Sequence, residues 1–445
     1  MEPYELTATQ AASLISKRLL SCEELARSTL SRIIEREPII KAFRFFDPDQ
    51  VIRNARELDQ TAPKSELHGL TFGVKDMIDT KDMPTTHNSP LYYGHETNKD
   101  AACVAVVRHR GALIVGKTDT VEFASGGRMA ATRNPYNLAH TPGGSSSGSG
   151  AAVGDRQLQL AFGTQTGGSH IRPAAFNGIY GIKPTHGLVS REGAKQYSYS
   201  LDTIGWYGRC VDDLMLVGRN FRIMDLDEPA PTTMKGLRVG LCRSPNWAKA
   251  DQWGRAALMQ AARLLEAEGA IVFDLDFDER FSKLNHAQEV IMKSEGRSAF
   301  LPEYYAGNPA FNGYFVDIVM NTQGFTKKDL LHSYDLAAEC RVAFDNLFGP
   351  ELDVVLTLPA PGQAPEGLHT SGDHVFNAMW TLLHAPCVAI PVGLGDLGLP
   401  LGIQLVGPRM SDARLLEIAK LCEPVLDPEP GKLKLVTQDE AVTFS

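Results

Sequence analysis

The chain has 445 residues with 43% hydrophobic and 22% charged side chains, as in an ordinary globular protein, and its formal net charge of −9 argues against a nucleic-acid partner. The N-terminal residues contain no apolar signal region, and no stretch approaches the ~20 apolar residues that a membrane span requires. We therefore expect a cytoplasmic protein with neither a nucleic-acid nor a membrane partner.

The first part of the chain predicts helices followed by a short buried strand. Two capping boxes, T-x-x-Q beginning at Thr7 and S-x-x-E beginning at Ser21, precede apolar-periodic runs. They predict N-terminal helices over residues 7–36. The run LTFGV (70–74) predicts a strand, which places Lys75 at its C-terminal end.

Strand and helix patterns alternate along the rest of the chain. Apolar runs predict strands at IIKAFRFF, ALIVG (112–116), LQLAFGT (158–164), IYGIKP (179–184), LRVGLC, DVVLTL, CVAIPV and LGIQLVG. Helices are predicted at 251–268 and 411–422. This alternation predicts an α/β fold whose mixed, mostly parallel sheet is covered on both faces.

Residues 276–345 differ from their surroundings, because strand signals are weak there and aromatic residues are frequent. We interpret this segment as a helical cover or pocket wall, not as an independent domain. Elsewhere we find no repeat and no low-complexity linker, so we predict one domain over residues 1–445.

The seven cysteines are odd in number, widely scattered and free of any C-x-x-C spacing. They are typical of reduced, mostly buried thiols, not of a disulfide framework. Histidine and acidic residues show no H-E-x-x-H or comparable ligand spacing. We therefore predict no metal site.

Two glycine-serine loops flank the predicted strand at 158–164. Ser145 lies in P-G-G-S-S-S-G, and Ser169 ends G-T-Q-T-G-G-S. A serine hydroxyl is a poor nucleophile until a base removes its proton, and serine-lysine pairs are one known solution. Gly167 and Gly168 allow successive N–H groups to converge on one concavity. The loop of Ser169 is therefore a candidate for both nucleophile and oxyanion hole.

Lys75 is the candidate base. The Ser145 hydroxyl can both accept and donate a hydrogen bond, which suits a proton relay between Ser169 and Lys75. Lys75 must then be partly neutral, so we expect it to be buried beside few carboxylates. Asp76 need not face the site, because neighbouring side chains on a strand point in opposite directions.

Other interpretations of these loops explain less. A phosphate cradle is disfavoured, since the chain has no G-x-x-x-x-G-K-[ST] and no intact G-x-G-x-x-G with a following acid. His170 is adjacent to Ser169, but adjacent side chains rarely face each other. We interpret His170 as a packing or pocket-lining residue.

These residues resemble the amidase signature family, whose pattern is strand-G-V-K-D, then N-P…P-G-G-S-S-x-G-S, then G-T-x-T-G-G-S. The chain has GVKD at 73–76, NPYNLAHTPGGSSSGSGAAV at 134–153 and GTQTGGSHIRPAAFNGIYGIKPTHG at 163–187. The segment AIPVGLGDLGLPLGIQLVGP (389–408) is also similar to that family. The resemblance covers about residues 5–425.

The resemblance implies roles for particular residues. Ser169 is implied to be the nucleophile, Ser145 the bridging serine, held by a cis Gly144–Ser145 peptide, and Lys75 the base. The implied oxyanion hole consists of the backbone N–H groups of Thr166, Gly167, Gly168 and Ser169. The implied fold is one α/β/α sandwich, whose catalytic core we place at 66–215. This chemistry needs no metal or organic cofactor.

Two residues depart from the family pattern. Gln165 stands where many members have Asp, which concerns the support of the loop more than its chemistry. Arg172 lies three residues after Ser169, and H-I-R-P-A-A resembles the malonamidase branch, in which the arginine clamps a substrate carboxylate. Alternatively, Arg172 pairs with an internal acid or with backbone carbonyls.

We therefore predict an amidohydrolase that cleaves the C–N bond of a linear amide through a serine acyl-enzyme and releases ammonia or an amine. A carbamate (urethane) or a urea-type amide fits the same machinery. The aromatic segment 300–315 favours an apolar or aryl substrate group, whereas Arg172 favours a small acid amide. A homodimer is expected only by analogy with the family.

A function of another class is also open. The chain resembles the amidase component of a tRNA-dependent amidotransferase, which passes glutamine-derived ammonia to a partner. The acidic charge balance weighs against RNA contact by this chain itself, although a partner could provide it. An inactive binding protein is disfavoured, because every residue of the proton relay is present.

Overall fold

The computed structural model describes residues 2–225, 229–429 and 431–436, and within them eleven strands form a single sheet. The strands are Phe43–Phe46 (β1), Thr71–Lys75 (β2), Leu113–Thr118 (β3), Leu160–Gln165 (β4), Tyr180–Lys183 (β5), Thr203–Gly208 (β6), Arg238–Leu241 (β7), Ile271–Asp274 (β8), Val354–Thr357 (β9), Cys387–Leu394 (β10) and Pro400–Val406 (β11). Across the sheet they lie in the order β1-β3-β2-β4-β6-β5-β10-β11-β9-β7-β8. The predicted α/β fold with a mixed sheet is confirmed.

Fifteen α-helices accompany the sheet within the described residues. They are Ala8–Ser16 (α1), Cys22–Ile40 (α2), Pro48–Asp59 (α3), Ala102–His109 (α4), Ser147–Gly154 (α5), Ile171–Phe176 (α6), Val211–Asn220 (α7), Gln252–Ala267 (α8), Glu279–Ser282 (α9), Leu284–Ala299 (α10), Leu301–Tyr305 (α11), Gly313–Met320 (α12), Lys327–Asp345 (α13), Ala378–Leu382 (α14) and Asp412–Leu426 (α15). None of them is long and apolar enough to cross a membrane.

The sheet is less parallel than the alternation of helices and strands predicts, since six of its ten strand pairings are antiparallel. β10 and β11 form a hairpin across a short turn, a connection that only antiparallel strands can have. The parallel pairs are β2 with β3 and β4, and β7 with β8 and β9. Lys75 ends β2, and the loop of Ser169 follows β4. Because these two strands are parallel, Lys75 and the loop lie at the same end of the sheet.

Some predicted boundaries shift for local reasons. Both N-terminal capping boxes form, on Thr7 and Ser21. However, α2 extends to Ile40, so the run IIKAFRFF begins in a helix and β1 begins only at Phe43. The Glu37 carboxylate accepts hydrogen bonds from the N–H groups of Ala42 and Phe43 at 2.8 and 2.9 Å and thereby closes this helix end.

Strands β6 and β8 are absent from the sequence prediction. β6 contains Gly205 and Gly208, which weaken the alternation that marks a strand. A Cβ at Gly205 would lie 2.2 Å from the carbonyl oxygen of Ile182 on β5, so close strand packing requires glycine there. β8 has only four residues, of which one is fully buried.

The segment predicted at 276–345 contains α9 to α13 and no strand. Its rings Phe300 and Phe315 are fully buried, with centroids 5.5 and 5.1 Å from that of Phe123. They therefore fill the apolar core, which weakens the expectation that residues 300–315 offer an aryl-binding surface. The seven cysteines are all free, and six of them are buried, as expected of reduced thiols.

Candidate active site

Lys75 is the last residue of β2 and is fully buried. Its Nζ lies 2.7 Å from Ser145 Oγ, 3.0 Å from Ser146 Oγ and 2.6 Å from Thr164 Oγ1. None of the carboxylates in the described residues forms an ion pair with it. Burial lowers the pKa of Lys75 well below its ordinary value, and the more distant Asp202 carboxylate only partly opposes this effect.

The hydrogen-bond pattern suits a neutral amine, which has two N–H donors and one lone pair. Ser146 Oγ donates to the carbonyl oxygen of Thr164 at 3.1 Å, so it can only accept from Lys75 Nζ. Thr164 Oγ1 provides a second acceptor at 2.6 Å. The lone pair of Nζ is then available to the hydroxyl proton of Ser145.

Asp76 points away from this cluster, as its position on the strand predicts. Its carboxylate forms a fully buried ion pair with Lys117 Nζ at 3.1 Å and accepts a hydrogen bond from the N–H of Thr86 at 3.1 Å. The negative charge next to Lys75 in sequence is therefore neutralised on the opposite side of β2.

Ser145 precedes α5, and the Gly144–Ser145 peptide is cis, as the family resemblance implies. The N–H of Ser146 donates to the carbonyl oxygen of Ser169 at 3.2 Å, which joins the two glycine-serine loops. The Ser169 side chain is half-buried, and its hydroxyl has no hydrogen-bond partner among the described residues. The hydrogen bond from Ser169 to Ser145 that a relay requires is therefore not formed here; such contacts often tighten only when substrate binds.

Residues 166–169 connect β4 to α6, and each of their carbonyl oxygens accepts a hydrogen bond. The donors are Gln288 Nε2 to Thr166 (2.9 Å), Thr381 Oγ1 to Gly167 (2.7 Å), the Arg172 N–H to Gly168 (3.1 Å) and the Ser146 N–H to Ser169 (3.2 Å). By contrast, none of the four N–H groups donates to another described residue. This arrangement leaves the N–H groups available to an oxyanion.

Gln165 supports this loop from below. Its Oε1 accepts hydrogen bonds from the N–H groups of His170 and Ile171 at 3.0 Å each, and its Nε2 donates to Thr381 Oγ1 at 3.0 Å. The Gln165 amide thus holds the beginning of α6 without adding a charge near Ser169. Glutamine at position 165, where many family members have aspartate, therefore supports this loop through hydrogen bonds.

His170 packs in the core, as predicted. Its ring stacks on Tyr207 with centroids 3.9 Å apart, and Nε2 lies 3.1 Å from the carbonyl oxygen of Trp206. Burial lowers the pKa of His170 to about 3. A ring held in this way cannot serve as the base for Ser169.

The buried neutral state of His170 predicts acid sensitivity of the fold. The unfolded chain binds a proton at His170 near pH 6.5, whereas the folded state does so only near pH 3, so this contribution to stability is lost as pH falls through that window. Glu37 and Asp119, whose pKa values burial raises to about 7 and 6, act in the opposite sense. The pH dependence of the free energy of unfolding is therefore compared between wild type and the His170→Gln variant. Between pH 7 and pH 5, we expect the free energy of unfolding of the wild type to fall by about 2 kcal/mol more than that of this variant, as measured by urea unfolding. An equal decrease in both proteins would contradict the prediction.

Arg172 lies on α6 and is buried. Its Nε donates to the carbonyl oxygen of Ser371 at 2.7 Å, and its Nη2 donates to that of Gly144 at 2.6 Å. Nη1 is buried and has no partner, and no carboxylate of the described residues lies within ion-pair distance. Burial lowers the pKa of Arg172 to about 10. The arginine thus holds two backbone carbonyls, as one sequence-based alternative proposes, and keeps one nitrogen free.

The sequence-predicted residues Lys75, Ser145, Ser169 and Arg172 gather around the two loops. Sequence reasoning missed the residues that hold them there. Ser146 and Thr164 could have been found, because they lie inside the recognised motifs. Gln288 and Thr381 come from distant segments and carry no local signal. Among the described residues, no group of His, Cys, Asp and Glu side chains could hold a metal ion.

A family model described as Amidase matches residues 24–416 of the chain. A glutamyl-tRNA(Gln) amidotransferase subunit of Streptococcus pneumoniae (strain JJA) is 30% identical over 473 aligned positions, which cover 95% of this chain and 96% of that protein. The native peptide amidase of Stenotrophomonas maltophilia superposes with a TM-score of 0.75 at 25% identity and covers 97% of this chain and 100% of its own. A structure described as a vestigial complex revealing the origins of an s-triazine catabolic enzyme shares the fold, with a TM-score of 0.85 at 22% identity over 97% of this chain and 100% of that one.

Proposed function

Because this chain belongs to the amidase family and is an enzyme that acts on carbon–nitrogen bonds, we propose that it hydrolyses a linear amide through an acyl-enzyme on Ser169. The observation that carries the proposal is the buried amine of Lys75, held 2.7 Å from the Ser145 hydroxyl beside the loop of Ser169. A buried lysine without a carboxylate partner is suited to accept a proton near neutral pH.

The first half-reaction forms the ester. Ser169 Oγ attacks the carbonyl carbon, its proton passes to Ser145, and the Ser145 proton passes to Lys75 Nζ. The N–H groups of residues 166–169 stabilise the negative carbonyl oxygen, each donor being worth about 3–4 kcal/mol in comparable sites. The C–N bond then breaks, and the leaving nitrogen takes the proton back from Lys75 through Ser145.

The second half-reaction uses the same residues. Water attacks the ester carbon while its proton moves through Ser145 to Lys75. The bond to Ser169 Oγ breaks, Ser169 recovers a proton from Lys75, and the carboxylic acid leaves. The enzyme returns to a neutral amine and two hydroxyls, and the cycle consumes only amide and water. A carbamate or urea-type carbonyl would follow the same steps.

A turnover panel tests this proposal. Purified enzyme is incubated with primary amides, anilides, carbamates, ureas and carboxylic esters, and released ammonia, amine or alcohol is measured. Intact-protein mass spectrometry after rapid acid quenching should show an acyl adduct on Ser169 with slowly deacylating substrates. Turnover of esters alone, with no release of nitrogen from any of these substrates, would contradict the assignment.

Arg172 supports an acid amide as the substrate. A buried guanidinium with a free nitrogen and no carboxylate partner is suited to bind an anionic substrate group. Gly168 lies directly beside it, since a Cβ built there would be 3.1 Å from Arg172 Nη1. The substituent of a substrate bound in the oxyanion hole would therefore run next to this nitrogen.

Arg172→Gln should lower kcat/KM to different extents for acidic and neutral amides. We expect kcat/KM for succinamate to fall about 10- to 100-fold further than that for butyramide, because a charged hydrogen bond worth about 1.5–3 kcal/mol is lost only with the acid. Some loss is expected with both substrates, since Arg172 also holds the Gly144 carbonyl next to Ser145. Steady-state kinetics on both amides measure the ratio; an equal loss would assign Arg172 to backbone support alone.

The similarity to amidotransferase subunits favours a second candidate function. Relatives of that description align with 95% of this chain, and the family resemblance of the sequence extends to them. In that case the same site would hydrolyse glutamine, and the ammonia would be passed to a partner protein. Glutaminase activity of the purified chain, or co-purification with a second protein from its source, would support this candidate over a free-standing amidase.

A further inference from the structure

His374 contacts the loop of residues 166–169 from the side of Arg172. A Cβ built on Gly167 would lie 2.8 Å from His374 Cδ2, and one on Gly168 would lie 2.9 Å from His374 Cβ and 3.1 Å from Arg172 Nη1. The imidazole therefore lies beside both glycines, and the guanidinium lies beside Gly168. A substrate bound at these two glycines would lie close to both side chains.

The position of His374 is fixed by its backbone. Its carbonyl oxygen accepts hydrogen bonds from the N–H groups of Asn377 and Ala378 at 2.9 and 3.1 Å, which begins α14. Asn377 Nδ2 donates to the carbonyl oxygen of Pro359 at 2.6 Å. By contrast, neither ring nitrogen of His374 has a hydrogen-bond partner among the described residues, although the side chain is half-buried. The backbone at His374 is thus fixed, while the polar atoms of its ring are unused.

The charges around His374 disfavour a substrate cation. Arg172 is a charged group that lies beside Gly168 together with His374 and acts on its ring. The nearby carboxylates of Asp373 and Glu289 already pair with Lys249 at 3.3 Å and Lys293 at 2.6 Å. Burial and the Arg172 charge lower the pKa of His374 to about 4, so its ring is neutral near pH 7. The wall formed by His374 and Arg172 therefore carries a net positive charge and offers N–H donors.

We propose that His374 is a specificity-determining residue that, together with Arg172, binds the acidic substituent of the substrate amide and disfavours amides carrying an ammonium group. This inference rests on the proposed amide hydrolysis and narrows its substrate class. The ring donates one N–H to the substrate carboxylate, while Arg172 Nη1 donates a second. Glutamine, which carries an ammonium as well as a carboxylate, fits such a wall less well than an acid amide without an amine.

Three amides of equal length test the charge preference. Succinamate, butyramide and β-alaninamide differ only in whether the far end is a carboxylate, a methyl or an ammonium group. The wild-type enzyme is expected to show the highest kcat/KM for succinamate and the lowest for β-alaninamide. A wild-type preference for β-alaninamide, or turnover of aryl amides alone, would overturn the inference while leaving amide hydrolysis intact. Release of nitrogen from no amide at all would overturn the proposed function as well.

A matched pair of variants tests the residue. His374→Gln and His374→Glu have isosteric side chains that differ in one negative charge. Relative to H374Q, we expect H374E to lower the ratio of kcat/KM for succinamate over butyramide at least tenfold and to raise the ratio for β-alaninamide over butyramide. Equal ratios in the two variants, with thermal unfolding showing both folded, would show that His374 does not face the substrate.

Discussion

Replacing Ser169 with alanine should reduce amide turnover by at least four orders of magnitude, to the level of residual oxyanion stabilisation and binding. The expectation follows from the half-buried hydroxyl, which lies beside four free N–H groups and has no hydrogen-bond partner of its own among the described residues. Because that hydroxyl makes no such contact, its removal should leave the free energy of unfolding within about 1 kcal/mol of wild type. Steady-state nitrogen release and urea unfolding measure the two quantities.

Covalent labelling sharpens this test. A fluorophosphonate probe should label the wild-type enzyme once, at Ser169, and should not label Ser169→Ala. Ser16→Ala, which removes an exposed hydroxyl on α1, serves as a matched control and should be labelled normally. Labelling of the Ser169 variant at another serine, with turnover retained, would assign the nucleophile elsewhere.

Lys75→Met should be nearly as damaging to activity, because it removes the proposed base while filling a similar volume. Ser169 keeps its hydroxyl in this variant, so the loss measures the relay and not the nucleophile. We expect kcat to fall about 10³- to 10⁵-fold and fluorophosphonate labelling to slow in parallel. Turnover within tenfold of wild type would show that another group accepts the proton.

The Lys75→Met variant also tests how the free energy of unfolding depends on pH. The pKa of Lys75 is lowered well below its ordinary value in the folded state, whereas in the unfolded chain it lies near 10.4. Between these two values the unfolded state binds more protons, so this contribution to stability grows as pH rises and is lost as pH falls toward the folded-state pKa. The free energy of unfolding should therefore increase more steeply between pH 7 and pH 9 in wild type than in Lys75→Met. Equal slopes would indicate that Lys75 is charged in the folded protein.

Much of the catalytic cluster follows from local rules. Strand alternation predicts that Lys75 and Asp76 face opposite sides of β2, and the structure places Asp76 on Lys117. The glycine-serine motifs predict two loops on either side of β4, and the parallel pairing of β2 with β4 brings them to the end of the sheet where Lys75 lies.

The walls of the site could not be predicted in this way. Gln288 on α10, His374 just before α14 and Thr381 on α14 reach the loop of residues 166–169 from more than a hundred residues away in the chain. Their roles depend on tertiary packing, which no periodicity or spacing reports. For the aromatic segment 300–315, the sequence suggests a feature that the structure does not have at these two rings. Its composition suggests a pocket, whereas Phe300 and Phe315 are buried in the core.

The four carbonyl anchors of residues 166–169 constrain how this enzyme can diversify. One anchor, Gln288, belongs to the helical segment 276–345, and another, Thr381, lies on α14, which begins four residues after His374. Any mutation that moves these helices for a new substrate should also displace the N–H groups of the proposed oxyanion hole. Changes in substrate selectivity and in catalytic rate are therefore mechanically coupled in this scaffold. Substitutions that change the preferred substrate without loss of rate should alter side chains that project between Gln288 and Thr381, and should not shift α10 or α14 themselves.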